Sequence, residues 1–309
     1  AREHKPAFLF EASVGGGTPI ITPMHQCLAA NQISQIQGIV NGTTNFMLTK
    51  MKRENMGFDA ALKIAQQLGY AETKDPGDDV DGRDACRKIA ILSSLACGHH
   101  VYPDNIPARG IRDVAVEDVK AAEQLDCAIK LIAWYHENPE GAADAFSAGV
   151  EPMLVPESNQ LAGVNDVFNA VFVEGDALGE AMFMGRGAGG LPTASAVCGD
   201  IIDVARNMVH GSTGRINCTC FDEKHLCRLE DMLSPFYIRL HVVDRPGVLA
   251  AIAAAFAAQN VGLKKVIQKQ MVGDKLAELV VITYHVSELD MQMAVQTLKG
   301  LPVIQAVCS

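Results

Sequence analysis

The spacing of apolar residues along the chain predicts both helices and strands. Apolar positions recur at helical spacing in five segments: residues 19–30, 58–68, 81–97, 117–126 and 192–209. Strand-like runs, alternating or continuously apolar, fall between them, at residues 33–40, 128–135, 145–155 and 177–184. A short strand is also expected to end at Glu11. The first two thirds of the chain is therefore predicted to be an α+β domain whose strands pack on helices.

The last quarter of the chain has a different, more regular order of elements. It predicts strand 236–242, helix 248–259, strands 263–270 and 277–285, helix 288–298 and strand 303–307. That order is βαββαβ, a ferredoxin-like unit. A polar segment separates the two parts. We therefore expect three regions: a domain at 1–209, a linker at 210–233 and a small domain at 234–309.

Residues 69–88, GYAETKDPGDDVDGRDACRK, form the most acidic stretch of the chain. Its carboxylates precede Lys88 and are Glu72, Asp75, Asp78, Asp79, Asp81 and Asp84. Asp84 and Lys88 fall one helical turn apart, which is also the pattern of an ordinary surface ion pair. A carboxylate cluster facing a lysine can instead hold an ammonium group, orient a hydroxyl and move a proton. A calcium loop is not predicted, because the required D-x-[DN]-x-[DN]-G spacing is absent.

The composition of the chain indicates which kinds of binding partner and which cellular compartment to expect. The 309 residues carry a net charge of −10, which argues against a nucleic-acid partner. The longest uncharged apolar stretch, 248–263, is too short to span a membrane, and no signal peptide is evident, so a cytoplasmic protein is expected.

The odd number of cysteines, nine, favours free thiols. Cys218, Cys220, His225 and Cys227 have the ligand types of a zinc site, but their spacing matches no standard pattern.

Two glycine-rich segments lie within the predicted domain, one near each end. EASVGGGTP, from Glu11, predicts a tight turn before a helix. GRGAGG, from Gly185, contains a G-x-G-x-x-G string between a predicted strand and a predicted helix. A dinucleotide-binding fingerprint also needs a second strand with an acidic residue about 20 positions on. Here a polar linker follows the helix, so the string alone does not predict a Rossmann unit.

Several of these segments together resemble the homoserine dehydrogenases. They are GYAE followed by DP and DDVDG-x-D-x-x-x-K, NGTTNFML, and GRGAGG-x-PTASAV. The turn DRPGVL resembles that of an ACT domain, a small-ligand sensor of amino-acid pathway enzymes. The resemblance implies NAD(P)-linked interconversion of L-homoserine and L-aspartate 4-semialdehyde, in threonine and methionine biosynthesis. It also implies a homoserine dehydrogenase catalytic domain followed by the ferredoxin-like ACT domain.

The same resemblance implies a role for particular residues. Lys88 would transfer the proton, and the substrate would be held by Glu72, Asp84 and Thr43, with Asp79 orienting them. Thr73 and Lys74 stand where the family has a single residue before Asp-Pro, which makes Glu72 the less secure ligand. Cofactor contacts would come from Gly69, Gly187 and Gly189. A monovalent cation, usually sodium, would be bound by the carboxylate of Glu11 and by the backbone carbonyls of Val14, Gly16 and Thr18.

The implied ACT domain would bind a regulatory ligand and would contribute to homo-oligomer formation. An effector such as threonine would bind near Asp244, Gly247 and Leu249. A passive dimerisation module is the alternative, because edge strands of such units pair across subunits. A homodimer or higher homo-oligomer is expected in both cases.

Homoserine dehydrogenases begin with a Rossmann domain, and nothing ahead of Glu11 in this sequence corresponds to one. The expectation is therefore an N-terminally truncated enzyme that is inactive alone. The alternative is a non-enzymatic regulatory protein that binds an amino acid through its ACT domain. A scaffold without a ligand is a third option, which the lysine and its carboxylates argue against.

Overall fold

The structure is a computed structural model that describes residues 8–137, 145–212, 225–228, 232–270 and 276–308. The chain divides into two compact units between Leu226 and Cys227. Most of the predicted linker 210–233 lies outside the described residues, as do Cys218 and Cys220 of the zinc hypothesis. Both units combine helices with a mainly antiparallel sheet, which confirms the mixed α+β class.

The first unit contains most of the helices. Its elements are α1 (Ile21–Gln26), β1 (Ile33–Ile39), α2 (Gly42–Glu54), α3 (Phe58–Gln67), α4 (Gly77–Val80), α5 (Arg83–Cys97), α6 (Val116–Glu123), β2 (Cys127–Glu137), β3 (Ala145–Pro156), β4 (Phe168–Gly175), β5 (Gly179–Arg186), α7 (Gly190–Val209) and β6 (His225–Leu226). Among the described residues, no helix has both the length and the apolar composition needed to cross a membrane.

A sheet in the order β5-β4-β1-β2-β3-β6 organises this unit. Neighbouring strands are antiparallel except β3 and β6, which are parallel. Ile36 of β1 lies opposite Tyr135 on one side and Val173 on the other. Helices α2, α5 and α6 pack against the sheet. Their shared core includes Met47, Met51, Ile89, Leu92 and Phe146, all nearly inaccessible to solvent.

The start of the unit differs from the sequence prediction. Residues 8–10 have no regular structure, and Glu11–Ser13 form a short 3-10 turn, so the predicted strand ending at Glu11 is wrong over the described residues. The predicted helix 19–30 is shorter, Ile21–Gln26. It ends there because the N–H groups of Cys27 and Leu28 both bond to the carbonyl of Pro23, which closes the last turn.

Helix α2 is not predicted from the apolar pattern of the sequence. The pair Asn41-Gly42 indicates only a turn when read alone. In the structure, Asn41 is instead the N-cap of a helix of 13 residues, and its side chain accepts a hydrogen bond from the N–H of Thr44. An asparagine at this position satisfies one of the N–H groups that a helix start leaves without a partner.

The second unit is built around a four-stranded sheet. Its elements are β7 (Leu233–Ser234), β8 (Tyr237–Val243), α8 (Val248–Ala257), β9 (Leu263–Gln270), β10 (Leu276–Thr283), β11 (Val286–Ser287), α9 (Glu288–Lys299) and β12 (Ile304–Val307). The sheet order is β12-β8-β10-β9, with every pair antiparallel, and β7 pairs with β11. This is the predicted βαββαβ unit, and its core joins α8 and α9 to one face of the sheet.

Candidate active site

Lys88 lies at the centre of a polar cluster in the first unit. Helix α5 begins after Gly82, whose φ of +80° lets the chain turn sharply into the helix. The ammonium of Lys88 donates to Oδ2 of Asp84 at 2.7 Å and to the carbonyl of Val40 at 2.9 Å. Val40 directly follows β1. The lysine therefore links the first turns of α5 to the end of a central strand, and its side chain is only 19% exposed.

Asp79 joins the cluster through Asn41. The Asn41 amide nitrogen donates to Oδ1 of Asp79 at 2.7 Å and to Oδ2 of Asp84 at 2.9 Å. Burial raises the pKa of the Asp79 carboxyl, and the negative charge of Asp84 adds to this rise, while the Asn41 hydrogen bond and the charge of Lys88 oppose it. Sequence reasoning missed Asn41, although an asparagine just before a helix start is a recognisable N-cap signal.

The other acids of residues 69–88 do not reach Lys88. Three of them order the loop itself: Asp78 accepts two hydrogen bonds from Arg87, Asp81 pairs with Arg83 and Arg112, and Asp75 accepts from the N–H of Gly77. Glu72 is exposed, and its carboxylate makes no hydrogen bond or ion pair with a described residue. Of the six predicted carboxylates, the structure brings together Asp79 and Asp84.

Thr43, in the first turn of α2, bonds to the residue that follows Gly69. The Thr43 hydroxyl donates to the carbonyl of Tyr70 at 2.8 Å. Gly69 has a φ of +74° just after α3, so a glycine there ends the helix whatever its further role. A side chain at this position would meet no atom within 4 Å. The loop is thus open beside Gly69 and tied to α2 by Thr43.

The two glycine-rich segments pack against each other. A Cβ on Gly16 would lie 2.4 Å from the carbonyl oxygen of Gly187, and a Cβ on Gly187 would lie 2.2 Å from Oδ1 of Asn169. Both Asn169 and Thr18 are completely buried, with side-chain polar atoms that have no partner among the described residues. Strand β5 runs antiparallel to β4, so the G-x-G-x-x-G string does not lie in a parallel βαβ unit.

Glu11 is buried and caps helix α1. Its carboxylate accepts hydrogen bonds from the N–H groups of Ile20, Ile21 and Thr22, at 2.6–3.0 Å. These bonds already occupy both carboxylate oxygens. Among the residues that the structure describes, no group of three or more His, Cys, Asp or Glu side chains could hold a metal ion. A cation here would therefore depend on backbone carbonyls and on the Thr18 hydroxyl.

The predicted effector residues lie on an exposed turn of the second unit. Asp244 and Gly247 are exposed, and Gly247 has a φ of +90° at the N-terminus of α8. Leu249, in the first turn of the helix, is 45% exposed. The structure thus places the three residues together at one helix start, open to solvent.

A buried lysine away from the acidic stretch was also missed. Lys130 of β2 is 2% exposed, and its ammonium donates to the carbonyl of Val164 and to the side-chain oxygens of Asn45 and Asn165. Burial lowers its pKa to about 8. A single lysine within an apolar run gives no sequence signal of such a site, because exposed lysines on half-buried strands look the same.

Each of the two units matches a known protein family. A family model described as homoserine dehydrogenase matches residues 19–202, and one described as ACT domain matches residues 236–303. The homoserine dehydrogenase of Synechocystis sp. is 40% identical over 317 residues, a match that covers all of this chain and 72% of that protein.

Solved structures of homoserine dehydrogenases are also similar to this chain. A homoserine dehydrogenase from Thiobacillus denitrificans has a TM-score of 0.88 and 35% identity, covering 96% of this chain and 68% of that one. A hyperthermophilic archaeal homoserine dehydrogenase, solved in complex with NADPH, has a TM-score of 0.56 and 32% identity, covering 67% of this chain and 58% of that one.

Proposed function

The chain belongs to the homoserine dehydrogenase family and is therefore an oxidoreductase, and on that premise we propose that Lys88 is its proton-transfer residue. The observation that carries the proposal is the fixed position of the ammonium. A lysine ammonium has three N–H donors. Two of them bond to Asp84 and Val40, so the third is left, among the described residues, for a ligand.

In the proposed reaction a hydride is exchanged with the cofactor and a proton is exchanged with a residue of this chain. A bound nicotinamide cofactor would supply hydride transfer at the carbon that bears the hydroxyl in L-homoserine and is the aldehyde carbon in L-aspartate 4-semialdehyde. In the direction of reduction, the Lys88 ammonium donates a proton to the aldehyde oxygen as the carbon–oxygen double bond becomes a single bond. In oxidation, the neutral amine takes the hydroxyl proton back.

The carboxylates beside Lys88 suit a substrate that carries an ammonium group. Asp84 and Asp79 present negative charge in a half-buried setting, where charge interactions are stronger than in bulk water. We assign them to the substrate's hydroxyl and ammonium ends, with the Thr43 hydroxyl as a further hydrogen-bonding group. Glu72 is exposed and without a partner in the described chain, so it is free to turn toward a bound ammonium.

Cofactor contacts are assigned to Gly69, Gly187 and Gly189. The open space at Gly69 fits the approach of a flat ring, because nothing lies within 4 Å of the position that a Cβ would occupy. Gly189 has a φ of +125° immediately before α7, which favours glycine and exposes backbone there. Binding of NAD(P) as such follows from the family.

We assign a sodium ion to the turn 11–18. The support is the buried Thr18 hydroxyl, which lacks a partner among the described residues, and the positive φ angles of Gly15 and Gly16, which curve this backbone tightly. Carbonyl oxygens of Val14, Gly16 and Thr18 are suitable hard ligands. The Glu11 carboxylate, engaged by three N–H groups, would contribute charge without direct contact.

The ACT domain supports regulation, and we assign threonine to the turn at Asp244, Gly247 and Leu249. Amino-acid sensing without catalysis is the second candidate function, and the match over residues 236–303 is what favours it. The lysine–carboxylate cluster of the first unit favours the enzyme. Homodimerisation through the edge strands β9 or β12 of the four-stranded sheet is compatible with either function.

Replacement of Lys88 in the full-length protein tests the proposal. Lys88→Ala should lower kcat for homoserine oxidation about 10²- to 10⁴-fold, with a modest change in KM, since general acid–base catalysis contributes about that factor. Lys50→Ala is a matched control, because Lys50 forms the same i,i+4 pair with Glu54 on the surface. Unchanged turnover in Lys88→Ala would remove Lys88 from the mechanism.

A further inference from the structure

Asn41 uses its whole side-chain amide within the cluster. Its oxygen accepts from the N–H of Thr44 at 2.9 Å and from the Thr44 hydroxyl at 3.0 Å, while its nitrogen donates to Asp79 and Asp84. An amide has two donor hydrogens and one oxygen with two lone pairs, so all four positions are filled. The residue is 6% exposed. The amide therefore has no hydrogen-bonding position left for a water molecule.

The orientation of this amide is fixed by its partners. A backbone N–H can only donate, so the Asn41 oxygen must face Thr44. The amide nitrogen must then face the two carboxylates, which accept hydrogen bonds. A flipped amide would place its oxygen against both carboxylates and its nitrogen against an N–H. The start of helix α2 thus sets which group meets Asp79 and Asp84.

One nitrogen therefore holds two like charges side by side. Oδ2 of Asp84 accepts from both Asn41, at 2.9 Å, and Lys88, at 2.7 Å. The remaining oxygen of Asp84 and Oδ2 of Asp79 accept no hydrogen bond from a described residue. Two carboxylates in contact repel each other, and an N–H donor to each reduces that repulsion.

We propose that Asn41 is a positioning residue, whose amide holds Asp79 and Asp84 together and selects the Asp84 oxygen that faces Lys88. The two unengaged carboxylate oxygens are then presented to the ammonium-bearing substrate as a fixed pair. This role rests on the proposed function, because it affects turnover only if Lys88 transfers the proton.

Ionisation of Asp79 provides a readout of this role. The charged groups that act on Asp79 are Asp84 and Lys88, both on α5. From the start of α2, Asn41 hydrogen-bonds to Asp79, and the nearby Thr43 hydroxyl also lowers the Asp79 pKa. Removing the Asn41 donor takes away a hydrogen bond that holds the Asp79 pKa down. The Asp79 pKa should therefore rise, and the acid limb of the activity profile should move to higher pH.

Asn41→Asp separates this role from helix capping. Aspartate caps a helix as well as asparagine does, so the bond from Thr44 can be kept. The two donors to Asp79 and Asp84 are lost, and a third negative charge is added. We expect kcat/KM to fall about 10- to 100-fold, the usual effect of losing a group that orients functional side chains. Asn41→Ser caps as well, adds no charge and should move the profile in the same direction by less.

The experiment combines a ¹³C NMR titration of the Asp79 carboxyl in this chain with pH profiles of kcat/KM in the full-length protein. Asn159→Asp is the control, because Asn159 also caps a helical turn, through the N–H of Leu161, away from the cluster. A raised Asp79 pKa together with an acid limb that moves to higher pH supports the role. An unmoved Asp79 titration and an unmoved limb in both Asn41 variants overturn it.

These outcomes are separable from failure of the proposed function. If Lys88→Ala keeps full turnover, the proposed proton transfer fails, whereas the NMR titration still reports whether Asn41 controls Asp79. If Asn41→Asp does not fold, as judged by its thermal unfolding, Asn41→Ser supplies the same two measurements. A fall in activity at every pH, without movement of the limb or of the titration, means a purely structural role and overturns positioning.

Discussion

Lys88 and Asp84 form an ion pair of 2.7 Å one turn apart on α5, and the same ammonium also bonds to the carbonyl of Val40. The pair Lys50–Glu54 has the same i,i+4 relationship on α2, with side chains 28% and 44% exposed. For Lys88 and Asp84 these fractions are 19% and 31%. The added bond to Val40 and the lower exposure distinguish a held lysine from a surface pair.

Asp84→Asn should lower the turnover of the full-length enzyme. The substitution keeps the shape of the side chain but removes the charge that pairs with Lys88. A hydrogen bond to a charged group contributes about 1.5–3 kcal/mol, which corresponds to a loss of roughly 10- to 100-fold in kcat/KM. Steady-state kinetics with homoserine measure the change. Glu54→Gln is the matched control and should keep wild-type kinetics, and an equal loss in both variants would contradict the distinction.

Much of the fold was predictable because its apolar pattern is strong. Helices α3 and α5 have one clear apolar face each, and β2 and β3 are rich in apolar residues. Helix α2 was missed for a physical reason. Asn41-Gly42 is a turn signal in isolation, and only the hydrogen bond from Thr44 shows that Asn41 begins a helix.

The site was predictable in part. Lys88 and Asp84 follow from helical spacing, but the sequence cannot separate acids that face a lysine from acids that pair with arginines. Asp78 and Asp81 lie in the same run as Asp79, yet they bond to arginines distributed from Arg83 to Arg112. That partition depends on tertiary contacts between α4, α5 and the segment around Arg112. The roles of individual substrate and cofactor residues remain predictions.

Gly187→Ala should destabilise the first unit. The new Cβ would lie 2.2 Å from Oδ1 of Asn169, which is completely buried and has little room to move. Overpacking of this kind costs about 1–3 kcal/mol. Gly190→Ala is the matched control, because a Cβ there meets no atom within 4 Å and the residue is helical. Urea unfolding of both variants measures the difference. Equal stability would mean that Asn169 can rearrange freely.

Threonine should bind to the second unit with measurable heat, and Gly247→Asp should abolish this heat. A side chain at Gly247 would enter the turn that the proposed effector occupies, and the φ of +90° disfavours any residue except glycine. Gly98→Asp controls for backbone strain, since Gly98 has a φ of +70° and equally open surroundings in the first unit. Calorimetry on the wild-type chain without heat from threonine would favour the passive dimerisation module.

Lys130 should make the stability of the protein rise with pH in alkaline solution. Burial lowers its pKa to about 8, whereas an unfolded lysine keeps an ordinary value of 10.5. Between these values the unfolded chain holds a proton that the folded chain has released, so raising the pH favours the folded state. With 1.36 kcal/mol per pKa unit, the contribution of this group should improve by about 2 kcal/mol between pH 7.5 and 10.

The comparison of wild type with Lys130→Met isolates this contribution, because other groups titrate equally in both proteins. Chemical unfolding at the two pH values gives a difference in stability that should shift in favour of wild type as the pH rises. Lys50→Met, at a lysine whose side chain is 28% exposed, should show no such shift. A difference that stays constant from pH 7.5 to 10 would mean that the three oxygen acceptors of Lys130 offset its burial and keep the ammonium charged in the folded protein.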